Sequence, residues 1–379
     1  MSARFLTAVS GRVSNMRDRF GREIDYMRIS VIDSCNLNCY YCNPQDNNKK
    51  CQAINILSVK KVLCIVRAAT RLGITHFRLT GGEPLLHPQI DEMVSQIKKI
   101  PSVRSVSLTT NAVLLAQHAK QLKEAGIDSI NVSLDTIDAS EYEHITKKPL
   151  LHKVEHGIDA AIECGIRVKI NVVLTPQTDV VALTRYASKK GTDIRFIEMM
   201  PVGEGHTNGV EPYKKVIGTL SELYGEPYHV NTGKTKEINS GYNKYKEERK
   251  NPDNGPAEYY IFPELDIRVG LIQAIHGKFC DTCNRIRVTA DGRLMPCLGS
   301  SVTMDLVPDS CDNTDDVEND LVIAQALRAA IKAKPRCHYF DDKAVTYTKT
   351  TETKTTETKI TEIKAAKVNA VRNMSRIGG

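Results

Sequence analysis

Two groups of three cysteines have spacing that could do chemistry. Cys35, Cys39 and Cys42 form a C-x3-C-x2-C array, and Cys280, Cys283 and Cys297 form a C-x2-C-x13-C array. Thiolate is the usual protein ligand of a [4Fe–4S] cluster, and a loop with three thiolates can wrap one face of the cubane while leaving the fourth iron open. An open iron can take a substrate or cosubstrate directly, whereas a four-cysteine site mainly shuttles electrons. Zinc is the alternative metal. A structural zinc site closes with four ligands; only Cys51 lies near enough in sequence to complete the first triad, and His276 could complete the second. Incidental core thiols are the plain reading of the first array, and the better one for Cys51, Cys64, Cys164, Cys311 and Cys337, which lack ligand spacing.

Polar groups accompany both arrays. Arg285 and Arg287 alternate along a predicted strand and so share a face, where a guanidinium pair beside an open metal could grip phosphate oxygens by bidentate bonds. A solvated strand face is the bland alternative. In Thr80-Gly81-Gly82-Glu83-Pro84 the glycines permit close approach of a ligand, and a fixed acid beside them can receive an ammonium. Thr109, Thr110 and Asn111, then Asn131 to Asp135 with Ser133 among them, add small polar groups. Lys169, Arg195, Glu198 and Met200 follow farther along.

The elements that must carry these residues are legible as a rhythm. From about residue 27 to residue 200, short apolar strands, polar or glycine-bearing loops and helices striped at three and four residues alternate, which specifies parallel β/α units. The predicted strands are Arg28–Ile32, Thr75–Leu79, Arg104–Leu108, Ser129–Leu134, Arg167–Leu174 and Ile194–Met199, with helices such as Ser58–Leu72 and His152–Cys164 between them. Six units make an incomplete (βα)6 TIM-type barrel, an α/β fold in which chemistry gathers at the carboxyl ends of the strands. After residue 200 a helix-like stretch at Tyr213–Tyr224, a polar segment at Asn231–Asn254 and strands at Glu258–Phe262 and Ile267–Ile272 suggest a small C-terminal α+β iron–sulfur domain. The expected division is therefore an extension over 1–26, the partial barrel over 27–205, a cluster and substrate domain over 206–340, and a low-complexity tail over 341–379. Three five-residue Thr-Glu-Lys units at Thr351–Ala365 cannot bury a core and read as a spacer.

Composition narrows the class. Hydrophobic residues make up 41% of the 379 and charged residues 26%, with no apolar run long enough to cross a bilayer. The net charge of +7 is modest and dispersed, which argues against binding of a nucleic-acid backbone but leaves room for an anionic small molecule. Eleven clustered cysteines suit metal ligation in a reducing compartment better than a disulfide framework, giving a cytoplasmic expectation. Arg4, Arg12, Arg17, Arg19 and Arg22, with Asp18 the one acid before residue 23, are a weak match to a mitochondrial presequence.

The stretch from Arg28 to Cys42, taken with the Gly-Gly-Glu-Pro loop, resembles the radical S-adenosylmethionine superfamily. With the second triad and its arginines, the stretch from Arg195 to Gly203 and the terminal Ile377-Gly378-Gly379, the chain resembles the GTP 3′,8-cyclases, the molybdenum cofactor biosynthesis protein A family. The likeness runs from about Arg17 to Phe340 and resumes at the last residues. It implies two [4Fe–4S] clusters, the first on Cys35, Cys39 and Cys42 binding S-adenosylmethionine, the second on Cys280, Cys283 and Cys297 anchoring the guanine of GTP. By the same resemblance Tyr41, Gly82, Glu83, Ser133 and Met200 line the S-adenosylmethionine site. Arg28, Arg78, Thr109, Lys169, Arg195, Arg285 and Arg287 hold GTP, and Gly378 and Gly379 reach the active site, where Arg285 and Arg287 also act. The implied reaction starts from a 5′-deoxyadenosyl radical that abstracts the ribose C3′ hydrogen, after which C3′ attacks guanine C8. An external one-electron donor, a downstream cyclic pyranopterin monophosphate synthase and a homodimeric state are implied as well, with no nucleic acid or membrane partner.

Two positions depart from the family pattern: Asn43 where Met is usual, and Gln273-Ala274 where Ser-Pro is common. The lengthened tail puts delivery of the terminal glycines in question. Two other classes compete: a different radical enzyme such as a peptide maturase with auxiliary clusters, and a non-enzymatic zinc-ribbon module on a barrel scaffold.

Overall fold

The computed structural model describes residues 16–42, 54–201, 210–230, 255–300, 303–306, 311 and 317–338. Six parallel strands, β1 (Tyr26–Ser30), β2 (His76–Thr80), β3 (Ser105–Thr110), β4 (Ser129–Ser133), β5 (Arg167–Val173) and β6 (Asp193–Ile197), lie side by side in chain order. Helices α1 (Val59–Thr70), α2 (Ile90–Lys98), α3 (Leu115–Glu124), α4 (Ala139–Thr146), α5 (Leu151–Glu163) and α6 (Val180–Lys189) occupy the crossovers. The expected partial barrel is thus present, with strand boundaries within two residues of those expected.

The strand sequences explain why the barrel has a usable interior. Successive strand residues point to opposite faces, and one parity is apolar: Met27 and Ile29, Phe77 and Leu79, Val106 and Leu108, Ile130 and Val132, Ile170 and Val172, Ile194 and Phe196 are all fully buried. They join the stripes of the covering helices, among them Val62, Ile65 and Val66 of α1 and Val154 and Ile158 of α5, in one continuous core. The other parity is largely polar, carrying Arg28, Arg78, Ser107, Asn131, Lys169, Asn171 and Arg195. A barrel lumen is ordinarily filled by branched apolar side chains. Here polar groups take those places, which makes the interior a site.

The starts of α1, α4 and α6 are fixed locally by side-chain caps. Ser58 accepts a hydrogen bond from the Lys61 amide at 3.2 Å, Asp138 from Glu141 at 2.8 Å and Asp179 from Ala182 at 2.9 Å.

The segments beyond residue 206 extend the same sheet at both edges. On one side β9 (Val269–Ile272) pairs parallel with β6, and β8 (Glu258–Ile261) and β7 (Tyr228–Val230) follow antiparallel. On the other, β10 (Arg285–Val288) pairs parallel with β1, followed by antiparallel β11 (Arg293–Met295) and β12 (Met304–Asp305). The full order is β12-β11-β10-β1-β2-β3-β4-β5-β6-β9-β8-β7. The stretch expected as one helix at Tyr213–Tyr224 opens with a π-helical segment, Tyr213–Gly218, before continuing as α7 (Thr219–Tyr224). A last helix, α8 (Val317–Ala333), packs on α1, with the buried Asp320 receiving Arg67 at 3.1 Å. The polar segment Asn231–Asn254, the Thr-Glu-Lys units and Gly378-Gly379 lie outside the described residues.

Candidate active site

A cavity of about 300 Å³ is lined by the residues of both cysteine triads. The first triad follows the carboxyl end of β1, as a barrel site requires. Cys280 and Cys283 instead precede β10, which runs parallel to β1, so they lie at the opposite end of the strands. The expectation that all the chemistry gathers at the carboxyl ends is corrected here: β10 is added to the open edge of the barrel and brings its leading loop to the lumen from the other side.

At the first end, the loop after β1 is held by the loop after β2. Gly82 donates its amide to the Ile32 carbonyl at 2.7 Å and Glu83 to that of Ser34 at 2.8 Å. A Cβ on Gly81 would stand 2.4 Å from the Ile32 oxygen, and one on Gly82 would stand 2.1 Å from the Ser34 oxygen. The double glycine is therefore needed first for this backbone-to-backbone seating of the cysteine loop, a closer reason than ligand approach alone. Glu83 is buried, and its carboxylate accepts from Leu85 and Asn111 amides at 3.0 and 2.8 Å and from the Thr110 hydroxyl at 2.6 Å. Burial nonetheless pushes its carboxyl up to about 7. Asn111 also reaches the Cys35 Sγ at 3.7 Å and Asn36 Oδ1 at 2.7 Å. Tyr41 donates its hydroxyl to Asp135, which accepts from the Val173 amide as well; burial raises the pKa of both Tyr41 and Asp135. A buried acid, Glu83, and a half-buried one, Asp135, thus stand at this end, suited to a cationic ligand.

At the second end the charge is reversed. Sheet register sets Arg287, Arg28 and Arg78 side by side across β10, β1 and β2, with Arg285 two residues before Arg287. Arg28, Arg285 and Arg287 line the cavity. Crowding shows in their ionisation: burial and then the Arg287 charge hold Arg28 well below the ordinary guanidinium value, and burial with Arg285 brings Arg287 down to about 10. Arg78 donates to the Tyr26 hydroxyl and, at 3.4 Å, to Thr109, itself a wall residue. Cys283 would be pushed up by burial, but Arg285 and the buried Lys334 outweigh this and bring it down to about 6. A thiol held as thiolate is a ready metal ligand.

The residues fit clusters better than single ions. The three thiols of each triad reach the cavity wall, the donor set of a cubane with one open iron, whereas a structural zinc closes with four ligands. His276, the suggested fourth zinc ligand, is engaged elsewhere: its ring Nδ1 pairs with the buried Glu198, which also accepts from the Ile275 and His276 amides at 2.7 and 3.1 Å.

Of the residues singled out in the sequence, Tyr41, Gly82, Glu83, Ser133, Met200, Thr109, Arg28, Arg285, Arg287 and all six cysteines are brought to the cavity wall. Arg78, Lys169 and Arg195 are not on it. Arg195 stands one step behind, donating to Asn171 Oδ1 at 2.9 Å, and Asn171 reaches the wall; Gly270 beside it leaves that room, since a Cβ there would meet Arg195 at 2.8 Å. Sequence reasoning missed Lys334 and Arg22. Lys334 is 1% exposed and lines the cavity, yet a lysine closing a helix looks the same in sequence whether it faces water or the core. Arg22, read as part of a basic leader, is buried in the body of the protein.

Comparisons with known proteins agree with this geometry. Residues 29–183 match the Radical SAM superfamily and residues 192–340 match Molybdenum Cofactor Synthesis C. The GTP 3′,8-cyclase of Clostridium perfringens (strain SM101 / Type A) is 34% identical over 333 residues, covering 86% of this chain and 96% of that protein. Those of Pelotomaculum thermopropionicum and Listeria monocytogenes serovar 1/2a are each 35% identical, over 86% and 85% of this chain and 95% and 92% of theirs. Among solved structures, Streptococcus suis SuiB bound to its precursor peptide SuiA has a TM-score of 0.53 at 16% identity, covering 81% of this chain and 67% of that one, a likeness of fold alone. With two cysteine triads on one cavity, a cationic end opposite an acidic one, and relatives matched over nearly their whole length, the chain belongs to the GTP 3′,8-cyclase family of radical S-adenosylmethionine enzymes.

Proposed function

We propose that this protein is a lyase that converts GTP to (8S)-3′,8-cyclo-7,8-dihydroguanosine 5′-triphosphate, the first step of molybdenum cofactor biosynthesis, using S-adenosylmethionine and two [4Fe–4S] clusters. The observation that carries the reading is the single cavity walled by both triads together with Arg28, Arg285 and Arg287. When bound, the first cluster supplies the electron that cleaves S-adenosylmethionine and the second an open iron for the guanine. The chain's own residues bind, orient and exclude water. Glu83 and Asp135 suit the ammonium and sulfonium of S-adenosylmethionine, and the arginine row suits the triphosphate. Holding the ribose against the radical source supplies orientation that solution chemistry lacks.

In this reading Tyr41, Gly82, Ser133 and Met200 shape the S-adenosylmethionine end, and Thr109 faces the nucleotide. Arg78, Lys169 and Arg195 support the GTP end, Arg195 through Asn171. Gly378 and Gly379 enter the same site, the absence of a Cβ being what supports their use in a narrow space. The division into 1–26, 27–205, 206–340 and 341–379 belongs to the proposal too, supported by the change of rhythm after residue 200. So do a homodimeric state, an external one-electron donor, a cyclic pyranopterin monophosphate synthase that takes the product, and a cytoplasmic setting, the last supported by cysteine usage. No described helix is long and apolar enough to cross a membrane.

Anaerobically reconstituted protein given S-adenosylmethionine, dithionite and GTP should form the cyclised nucleotide and 5′-deoxyadenosine together. Unconsumed GTP in protein carrying about eight irons per chain would refute the assignment. Truncation after Arg376 should abolish the cyclised product.

A further inference from the structure

Two buried cations hold the second triad from outside, and neither was among the residues the family likeness pointed to. Lys334, just past α8, donates Nζ to the Arg285 carbonyl at 2.7 Å and to the Pro296 carbonyl at 2.8 Å. Those carbonyls sit two residues after Cys283 and immediately before Cys297. Arg22 donates Nη1 to the carbonyl of Cys280 at 2.7 Å and of Arg336 at 2.8 Å, and Nη2 to that of Pro335 at 2.6 Å, while Asp18 fixes its Nε at 2.6 Å. Segments from the two ends of the described chain are thereby tied to the two stretches that present the cysteines, one before β10 and one after β11.

The two cations differ in one respect. Arg22 is neutralised by Asp18, but both hydrogen bonds described for Lys334 go to backbone carbonyls. A buried charge without an ionic partner is costly, and the two carbonyls that hold Lys334 lie two residues after Cys283 and immediately before Cys297. A thiolate-held cluster is the anionic counterpart such an ammonium needs, and fixed charge next to a cluster sets its potential. Partners outside the ligand set also orient the ligands themselves.

We infer that Lys334 is a positioning residue for the second cluster, pinning the Cys283 and Cys297 limbs of its loop together and holding a fixed positive charge against it. This rests on the reading that Cys280, Cys283 and Cys297 carry that cluster. The test uses the full chain with Cys35→Ala, Cys39→Ala and Cys42→Ala, so that only the second cluster is seen, purified anaerobically with Lys334 intact, as Lys334→Met and as Lys334→Gln. Iron and sulfide are assayed, and the midpoint potential is followed by electron paramagnetic resonance. The parent should hold about four irons. Lys334→Met should lose most of them, and Lys334→Gln, which keeps a donor for the carbonyls but not the charge, should retain more iron at a lower potential than the parent. Wild-type loading and potential in both variants would overturn the inference; if Lys334→Met does not fold, an unchanged potential in Lys334→Gln overturns it alone. A parent without iron would instead refute the cluster reading itself, and the inference with it.

Discussion

Gly82 has no room for a side chain. With its Cβ position 2.1 Å from the Ser34 oxygen and 2.9 Å from that of Asp33, Gly82→Ala must push the β1 loop away, since both neighbours are backbone. The expected result is loss of the first cluster alone, from about eight irons per chain to about four, with S-adenosylmethionine cleavage lost and the second cluster's spectrum retained. Glu83 makes a different prediction. Its carboxyl, held up at about 7 by burial, must be ionised to receive an ammonium, so protons compete with the ligand below that value. Affinity for S-adenosylmethionine should fall about tenfold per pH unit on going below about pH 7 and level off above it. Calorimetric titration across pH 5.5 to 8 checks this, and Glu83→Gln should bind weakly with a flatter profile. A steep slope persisting in Glu83→Gln would place the titrating group elsewhere.

At the scale of elements, the parts written into local sequence were legible and the parts set by distant pairing were not. The helix expected at Ser58–Leu72 forms as Val59–Thr70 because its apolar stripe repeats at the helical period, and the cysteine triads announce themselves by spacing. By contrast, nothing local says that Arg285 pairs with Tyr26 and Arg287 with Arg28; parallel register is decided by the assembled sheet. The arginine row was therefore visible as single residues and invisible as a row, and Lys334 was invisible altogether. The other edge of the barrel depends on one such distant contact. Asp193 of β6 receives the Arg268 amide at 3.1 Å and its guanidinium, both side chains being 15% exposed. Asp193→Ala takes the carboxylate from a partly buried guanidinium that still lies over the Tyr259 ring and should destabilise the protein by about 2 kcal/mol, the scale of a lost hydrogen bond to a charged group. Thermal unfolding should show this loss with the iron content of the folded protein unchanged, because β9 carries no cluster ligand.

For the molecule as a whole, the polarity of the cavity sorts its two ligands. Glu83 and Asp135 stand at the first triad, and Arg28, Arg285, Arg287 and Lys334 line the cavity toward the second, a polarity that suits a sulfonium amino acid at one end and a triphosphate at the other. Along the arginine row, burial first and then the neighbouring guanidinium charges lower the pKa of Arg28 and Arg287, and a bound polyanion would offset that crowding. Removing one member should therefore act on the phosphates and leave the nucleoside contacts alone. Arg287→Ala should weaken GTP binding by about 2 kcal/mol, roughly thirtyfold in Kd, while guanosine binding and iron content stay near their original values. Arg287→Lys should recover part of the loss, since it restores charge without the planar fork. Equal weakening of GTP and guanosine would mean that Arg287 meets the base or ribose instead, and the orientation assigned to the nucleotide would have to be reversed.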